Sequence, residues 1–153
     1  MDTRKLKYFL AVVDHDGFSR AAEHLLIAQP SLSPLDGLYP GPAYVDAVAL
    51  DGYNWGTSAA WSSWIAPPEL FGPGLSELRR LAPGKQVLVA ETSSAEQGGS
   101  KADWNTSLIS YLAAQADVTA VVWFNFNKET DWRINSSTSS ATALASALAA
   151  RPK

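Results

Sequence analysis

The chain contains no cysteine, which removes disulfides, thiolate metal sites and cysteine nucleophiles. Histidine is nearly as scarce: His15 and His24 are the only two, and both lie in the first 33 residues. Residues 34–153 therefore offer no Ser-His-Asp triad, no Cys-His pair and no histidine-ligated metal. Charged residues make up only 18% and the net charge is −3, so there is no chain-wide field for nucleic acid. No apolar run approaches the roughly 18 residues of a membrane span, and no membrane partner is expected. The N-terminus is charged (Asp2, Arg4, Lys5, Lys7) and lacks the apolar stretch and small-residue cleavage site of a secretory signal. The expected location is cytoplasmic. At 153 residues the chain is too short for a complete eight-stranded (β/α) barrel of about 250 residues. What is present is core-forming material, with 46% apolar and 10% aromatic residues, far from a disordered composition.

The composition changes along the chain. In residues 1–33 tryptophan is absent and the charges cancel, Arg4, Lys5, Lys7 and Arg20 against Asp2, Asp14, Asp16 and Glu23. Residues 34–153 hold all six tryptophans, eight of the nine prolines and the whole net negative charge. Between them the stretch SPLDGLYPGP is a poor helix or strand, which puts a junction at residues 34–38. Before the junction, Leu6, Phe9, Leu10 and Val13 follow helical spacing, as do Phe18, Ala21, Ala22 and Leu25 with Ser19 as N-cap. A third helix from Pro30 has almost no room before Pro34.

After the junction the rhythm alternates. Tyr44 to Leu50, Gln86 to Ala90 and Thr119 to Phe124 read as strands. Leu75 to Leu81 reads as a short helix closed by Pro83-Gly84, and Ser100 caps a second helix with Asp103 three residues on. Trp104, Leu108, Tyr111 and Leu112 form the buried stripe of that helix, and Leu144 and Leu148 form one face of a closing alanine-rich helix from Ser139 to Ala150. These are three consecutive βα units. Their strands are nearly continuous apolar runs, as expected of parallel strands covered on both faces.

In such folds the functional groups gather at the carboxyl ends of the strands. The first strand runs into Asp51-Gly52-Tyr53-Asn54-Trp55, the second into Glu91-Thr92-Ser93-Ser94, and the third into Trp123-Phe124-Asn125 and the run to Arg133. Carboxylates, amides and aromatics thus share one rim. Aromatic faces stack on the C–H faces of sugars while carboxylates and amides bond their hydroxyls. With histidine and cysteine excluded, carboxylate chemistry remains, and glycosidic hydrolysis is its leading case.

Three blocks, YPGPAYVDAVALDGYNWG, KQVLVAETSS and AVVWFNFNKETDWRINSS, resemble the C-terminal half of glycoside hydrolase family 26, best known for endo-β-1,4-mannanases, across residues 38–149. The resemblance implies a (β/α)8 barrel and a retaining mechanism with glutamates on strands four and seven. Glu91 falls on the nucleophile position of strand seven. Asp51 and Tyr53 fall on strand six, where the tyrosine contacts the nucleophile, and Trp123 falls on the sugar platform of strand eight. Trp55, with Trp61 and Trp64, either lines distal sugar subsites or packs its loop onto the rim. Where the family often has glycine after the Glu-Thr pair, this chain has Ser93-Ser94. The acid/base glutamate of strand four has no counterpart. Asp51, Glu129 and Asp131 are the nearest substitutes by sequence, and the resemblance gives none of them the acid role. Loss of general acid catalysis costs about 10²–10⁴-fold, so little or no glycosidase activity is expected of the chain alone.

The first 33 residues, through GFSRAAEHL and AQPSLS, resemble the start of the winged helix-turn-helix domain of LysR-type transcriptional regulators. The resemblance places Gln29, Pro30, Ser31 and Ser33 at the opening of the recognition helix and Arg20 toward the DNA backbone. It covers about half of a DNA-binding domain, and a major-groove reader needs the body of its recognition helix.

The expected fold class is α/β: the C-terminal three βα units of a TIM-type barrel with parallel strands, preceded by an all-α helix-turn-helix stub. The expected organisation is a stub at 1–33, a junction at 34–38 and a partial barrel at 39–150. Expected partners are β-mannan or a related polysaccharide, bound weakly, and further copies of the chain through open sheet edges. No cofactor or metal is expected. Two alternatives stand beside this reading: a DNA-binding regulator stub, and one half of a glycosidase completed by a partner chain.

Overall fold

The computed structural model describes residues 37–151. The helical patterns before the junction, and with them Arg20, Gln29, Pro30, Ser31 and Ser33, lie outside the described residues. The chain divides into two compact units, Met1–Val45 and Asp46–Lys153. In the first, the described residues include a turn in which the Tyr44 N–H donates to the Gly41 carbonyl at 3.1 Å.

The second unit alternates strand and helix: β1 (Ala47–Asn54), α1 (Pro67–Leu81), β2 (Gln86–Ser94), α2 (Lys101–Ala113), β3 (Val118–Trp123) and α3 (Thr138–Ala150). The strands form one parallel sheet in the order β1-β2-β3, with Val48 beside Val87, Leu50 beside Val89, and Val89 beside Val121. Helix α1 packs on β1 and on α2, and α2 packs on β2 and on α3. Val48, Val87 and Val89 are buried with Phe71, Leu75 and Leu78 of α1 and Trp104, Leu108 and Leu112 of α2. No helix among the described residues is long and apolar enough to cross a membrane.

Two expectations need correction here. The first concerns coverage of the sheet. Ala49, Ala90, Val121 and Val122 are exposed, so the sheet is not covered on both faces among the described residues. Three strands cannot curl into a closed cylinder, and among the described residues β1 and β3 remain edges. The second concerns α1, which starts at Pro67 rather than Leu75. Its first two turns read PPELFGPG, where Pro and Gly mask the helical spacing. Pro67 and Pro68 occupy the first helical positions, where no N–H is required, and Pro73 sits inside the helix. Tertiary packing overrides the weak propensity: Phe71 is fully buried. The helix lies so close to β1 that a Cβ on Gly52 would meet Phe71 Cε1 at 2.9 Å, and one on Gly74 would meet Leu50 Cδ1 at 2.9 Å.

Ser100 caps α2 by accepting from the Asp103 N–H at 3.2 Å, and Ser137 caps α3 by accepting from the Ser140 N–H at 3.2 Å. Helix α3 buries Ser140 and Leu144 but leaves Leu148 42% exposed, so the expected face ends one turn early. The α2–α3 contact is polar at its centre: Asn105 Nδ2 donates to the Ser140 carbonyl at 3.1 Å and to its hydroxyl at 2.9 Å.

Lys101, at the start of α2, is 1% exposed. Its ammonium donates to the carbonyls of Asp131 (3.1 Å) and Arg133 (2.9 Å) and to Ser136 Oγ (2.9 Å). All three of its protons thus have acceptors, and all three acceptors belong to the β3–α3 loop. Desolvation lowers its pKa to about 8, against the opposing charges of Glu96 and Asp131. Lys101→Met keeps the stem but strands buried acceptors, so it is expected to cost about 1–3 kcal/mol. Urea unfolding of both proteins checks this, and an unchanged midpoint would refute the clamp.

Candidate functional site

The site is built at the carboxyl ends of β1 and β2. An extra residue in β2 makes it possible. Leu50 pairs with Val89, but the next residue of β1, Asp51, pairs with Glu91, so Ala90 is bulged out of the ladder. In a regular strand Glu91 would share the buried side of Val87 and Val89. With the bulge, Ala90 and Glu91 are both exposed while Val89 and Thr92 on either side are buried. A bulge re-aims side chains in this way.

The register then sets Asp51 beside Glu91, Tyr53 beside Ser93 and Asn54 beside Ser94. The Tyr53 hydroxyl donates to Glu91 Oε2 at 2.6 Å. Desolvation, that hydrogen bond and the charges of Glu91, Asp51 and Glu129 hold the Tyr53 phenol well above its ordinary pKa, so it stays a proton donor to the carboxylate. Partial desolvation, followed by the charge of Glu91, raises the Asp51 carboxyl against a lowering hydrogen bond from its own backbone. A shallow cavity of about 350 Å³ opens against Asp51 and Glu91, with Ala49, Leu50 and Ala90 in its lining.

Behind this pair stands Trp132, 1% exposed. Its carbonyl accepts from Ser93 Oγ at 2.6 Å and from Trp123 Nε1 at 2.8 Å, which ties the β3–α3 loop to β2 and β3. Its ring meets Tyr53 edge-on at 5.1 Å and Trp55 at 4.8 Å. The burial of Ser93 and Ser94 is thereby explained: Ser94 Oγ accepts from Asn54 Nδ2 at 2.9 Å.

The structure brings Glu91, Asp51 and Tyr53 together. Trp55 reaches Tyr53 only through Trp132. Trp123 is half-buried, with its ring against Trp104 at 6.4 Å and the Lys101 ammonium 5.9 Å from its centre. The ring of β3's end that shares the side of Tyr53 is Phe124, 5.9 Å away, with the exposed Phe126 beyond it. Sequence reasoning missed Phe124 because a tryptophan precedes it and strand alternation turns only one of the two toward the rim. Nothing local in the sequence marks Trp132 as a hub.

The other acidic candidates are engaged in the β3–α3 loop. Asp131 is held below the usual carboxylate range by the Arg133 guanidinium, which donates to both its oxygens at 2.8 and 2.6 Å. Glu129 pairs with Lys128 at 3.3 Å and accepts from Trp132 Nε1 at 3.4 Å. Among the described residues no three acidic or histidine side chains converge to hold a metal ion.

Comparison with known proteins divides the chain in two. Residues 3–34 match the lysR family of bacterial regulatory helix-turn-helix proteins. Over 116 residues, 74% of its length, the chain is 43% identical to Endoglucanase H of Acetivibrio thermocellus. It spans 13% of the length of that relative. The chain thus joins a segment similar to LysR-type helix-turn-helix proteins to a segment similar to a protein named an endoglucanase.

The raised pKa of Asp51 has a sign. An acid whose folded-state pKa is raised binds its proton more readily folded than unfolded. Its ionisation therefore weighs against the fold above that value, and the penalty vanishes at pH below the unfolded value. Asp51→Asn is expected to raise Tm at pH 7 and to give no comparable gain near pH 3.5. Thermal melts at both pH values check this, and an equal gain at both would remove the electrostatic cause.

Proposed function

We propose that residues 46–151 are a glycan-binding segment derived from a retaining glycoside hydrolase of family 26. In this reading they form three βα units of a TIM-type barrel and hold a β-linked polysaccharide weakly at the rim without cleaving it. The observation that carries the proposal is the 2.6 Å hydrogen bond from Tyr53 to Glu91, with Asp51 alongside, at the strand ends of parallel βα units. It is the pairing expected of a nucleophile position steadied by a tyrosine. Similarity to a protein named an endoglucanase supports a polysaccharide ligand and sets β-glucan beside β-mannan as its identity.

Retaining hydrolysis needs a second carboxyl group about 5–5.5 Å from the nucleophile to protonate the leaving oxygen. Asp131 is committed to Arg133, and Asp51 occupies a strand-six position to which the family assigns no acid role. Glu91 then serves as a hydrogen-bond acceptor for sugar hydroxyls, with Tyr53 and Phe124 beside it. Trp123, half-buried beneath Lys101, supports the rim from below. The exposed sheet edges favour association of copies or completion by a partner chain.

Calorimetric titration with manno- and cello-oligosaccharides is expected to give weak binding that Glu91→Ala and Tyr53→Phe reduce, with no reducing-sugar release. Unchanged heats in both variants would sink the sugar site, and cleavage at a rate typical of complete glycosidases would sink the claim of inactivity.

A second reading rests on the lysR-family match at residues 3–34, which supports DNA as a ligand of the N-terminal segment. Residues 1–33 net to zero charge, so binding would rest on few phosphate contacts and fall away with modest salt. A gel shift at low salt is expected to show a band that Arg20→Ala weakens, and its absence would exclude this reading.

A further inference from the structure

The loop between β1 and α1 presents a tryptophan that the site above does not use. Trp61 is 66% exposed, whereas Trp132 is 1% exposed. An exposed indole on a floppy loop would carry little meaning, but this loop is fixed along its length. Asn54 Oδ1 accepts from the N–H groups of Gly56 (3.2 Å) and Ile65 (3.0 Å), closing the loop at both ends. Ser62 Oγ donates to the Gly56 carbonyl at 2.7 Å, and Ser58 Oγ donates to the Trp55 carbonyl at 2.6 Å. Thr57 N–H donates to the Gln97 carbonyl at 3.1 Å, which locks the loop onto the segment after β2. Gly56 is required at that contact: its φ is 52°, and a Cβ there would lie 1.8 Å from Gln97 O.

The ring of Trp61 is also continuous with the rim. It meets Trp55 at 5.2 Å, Trp55 meets Trp132 at 4.8 Å, and Trp132 meets Tyr53 at 5.1 Å. Tyr53 in turn holds Glu91. A chain of ring contacts thus links Tyr53, the partner of Glu91, to the exposed Trp61. The loop segment WGTSAAWSSWI, residues 55–65, carries no charged residue, and Thr57, Trp61 and Ser63 of it are exposed. A neutral, hydroxyl-bearing surface around a flat apolar face suits an uncharged sugar ring and not a nucleic acid or an acidic peptide.

We propose that Trp61, backed by Trp55, is an outer aromatic platform that stacks a further sugar ring of a glycan whose nearer end lies at Glu91 and Tyr53. The proposal rests on the glycan-binding reading above and adds to it a length requirement. A platform already held in place loses little freedom when a ligand arrives, so its stacking energy appears in affinity. Short oligosaccharides reach only the Glu91 rim, whereas longer ones also cover Trp61.

The test is calorimetric titration of the full chain with β-1,4-linked gluco- and manno-oligosaccharides from disaccharide to hexasaccharide. For the unaltered chain, affinity is expected to rise with length. Trp61→Ala is expected to weaken hexasaccharide binding roughly tenfold while leaving disaccharide binding unchanged, the loss typical of one buried aromatic anchor. Trp61→Phe is expected to recover part of the loss, which separates stacking from damage to the loop. Overlapping hexasaccharide isotherms for Trp61→Ala and the unaltered chain, with Glu91→Ala still weakened, would overturn the platform and leave the rim reading standing. Equal weakening of disaccharide and hexasaccharide by Trp61→Ala would overturn it as well. No binding of any oligosaccharide by the unaltered chain would overturn both.

Discussion

One extra residue in a strand governs the geometry of the rim. Strand β2 buries Val87 and Val89 against the helices, and strict alternation would carry Glu91 to the same side. An unpaired carboxylate there would lose its hydration for no compensating partner. The bulge at Ala90 reverses the alternation, leaves Glu91 in reach of solvent and of Tyr53, and sets it level with Asp51. The same shift places Thr92, Ser93 and Ser94 in the interior, where serine hydroxyls serve as hydrogen-bonding posts for the loops from β1 and β3.

Those loops owe their form to a few shared acceptors. The Trp132 carbonyl receives two side-chain donors, one from β2 and one from β3, and Asn54 Oδ1 receives two backbone donors from either end of the β1–α1 loop. Lys101 reaches from α2 to hold the far side of the β3–α3 loop through two carbonyls and a hydroxyl. Glu96 accepts from Ser136 and Ser137 at 2.7 and 2.8 Å, adding a second tie in the same place. The loops carry little regular structure, yet no buried side-chain polar atom in them is without a partner, and the aromatic rings between them stand at edge-to-face angles suited to their quadrupoles.

The described strands form one open parallel sheet. Three parallel βα units with helices on one side are the repeating element of a barrel wall, and the side away from the helices is where a barrel would have its interior. In the described residues that side holds exposed Ala49, Ala90 and Val122 together with Asp51 and Glu91. Apolar surface and carboxylates share it, so any strand or ligand that covers it must also provide hydrogen-bond donors to the two acids.

The amino-acid sequence by itself determined the order of elements after the junction, because apolar runs, Ser caps and Pro-Gly stops act over a few residues. It determined as well that residues 34–153 hold neither histidine nor cysteine for acid–base or nucleophilic chemistry. It left the first two turns of α1 unread, since Pro and Gly there are tolerated only through the burial of Phe71 against Gly52. Leu148 shares the face of Leu144 but stays exposed, because periodicity cannot report where a neighbouring helix ends. Only the tertiary structure decided that Glu91 faces outward, that Phe124 rather than Trp123 stands beside Tyr53, and that Trp132 joins the rim from behind. Each of these depends on a strand register or on a contact between residues far apart in the chain, and neither register nor distance is written in local spacing.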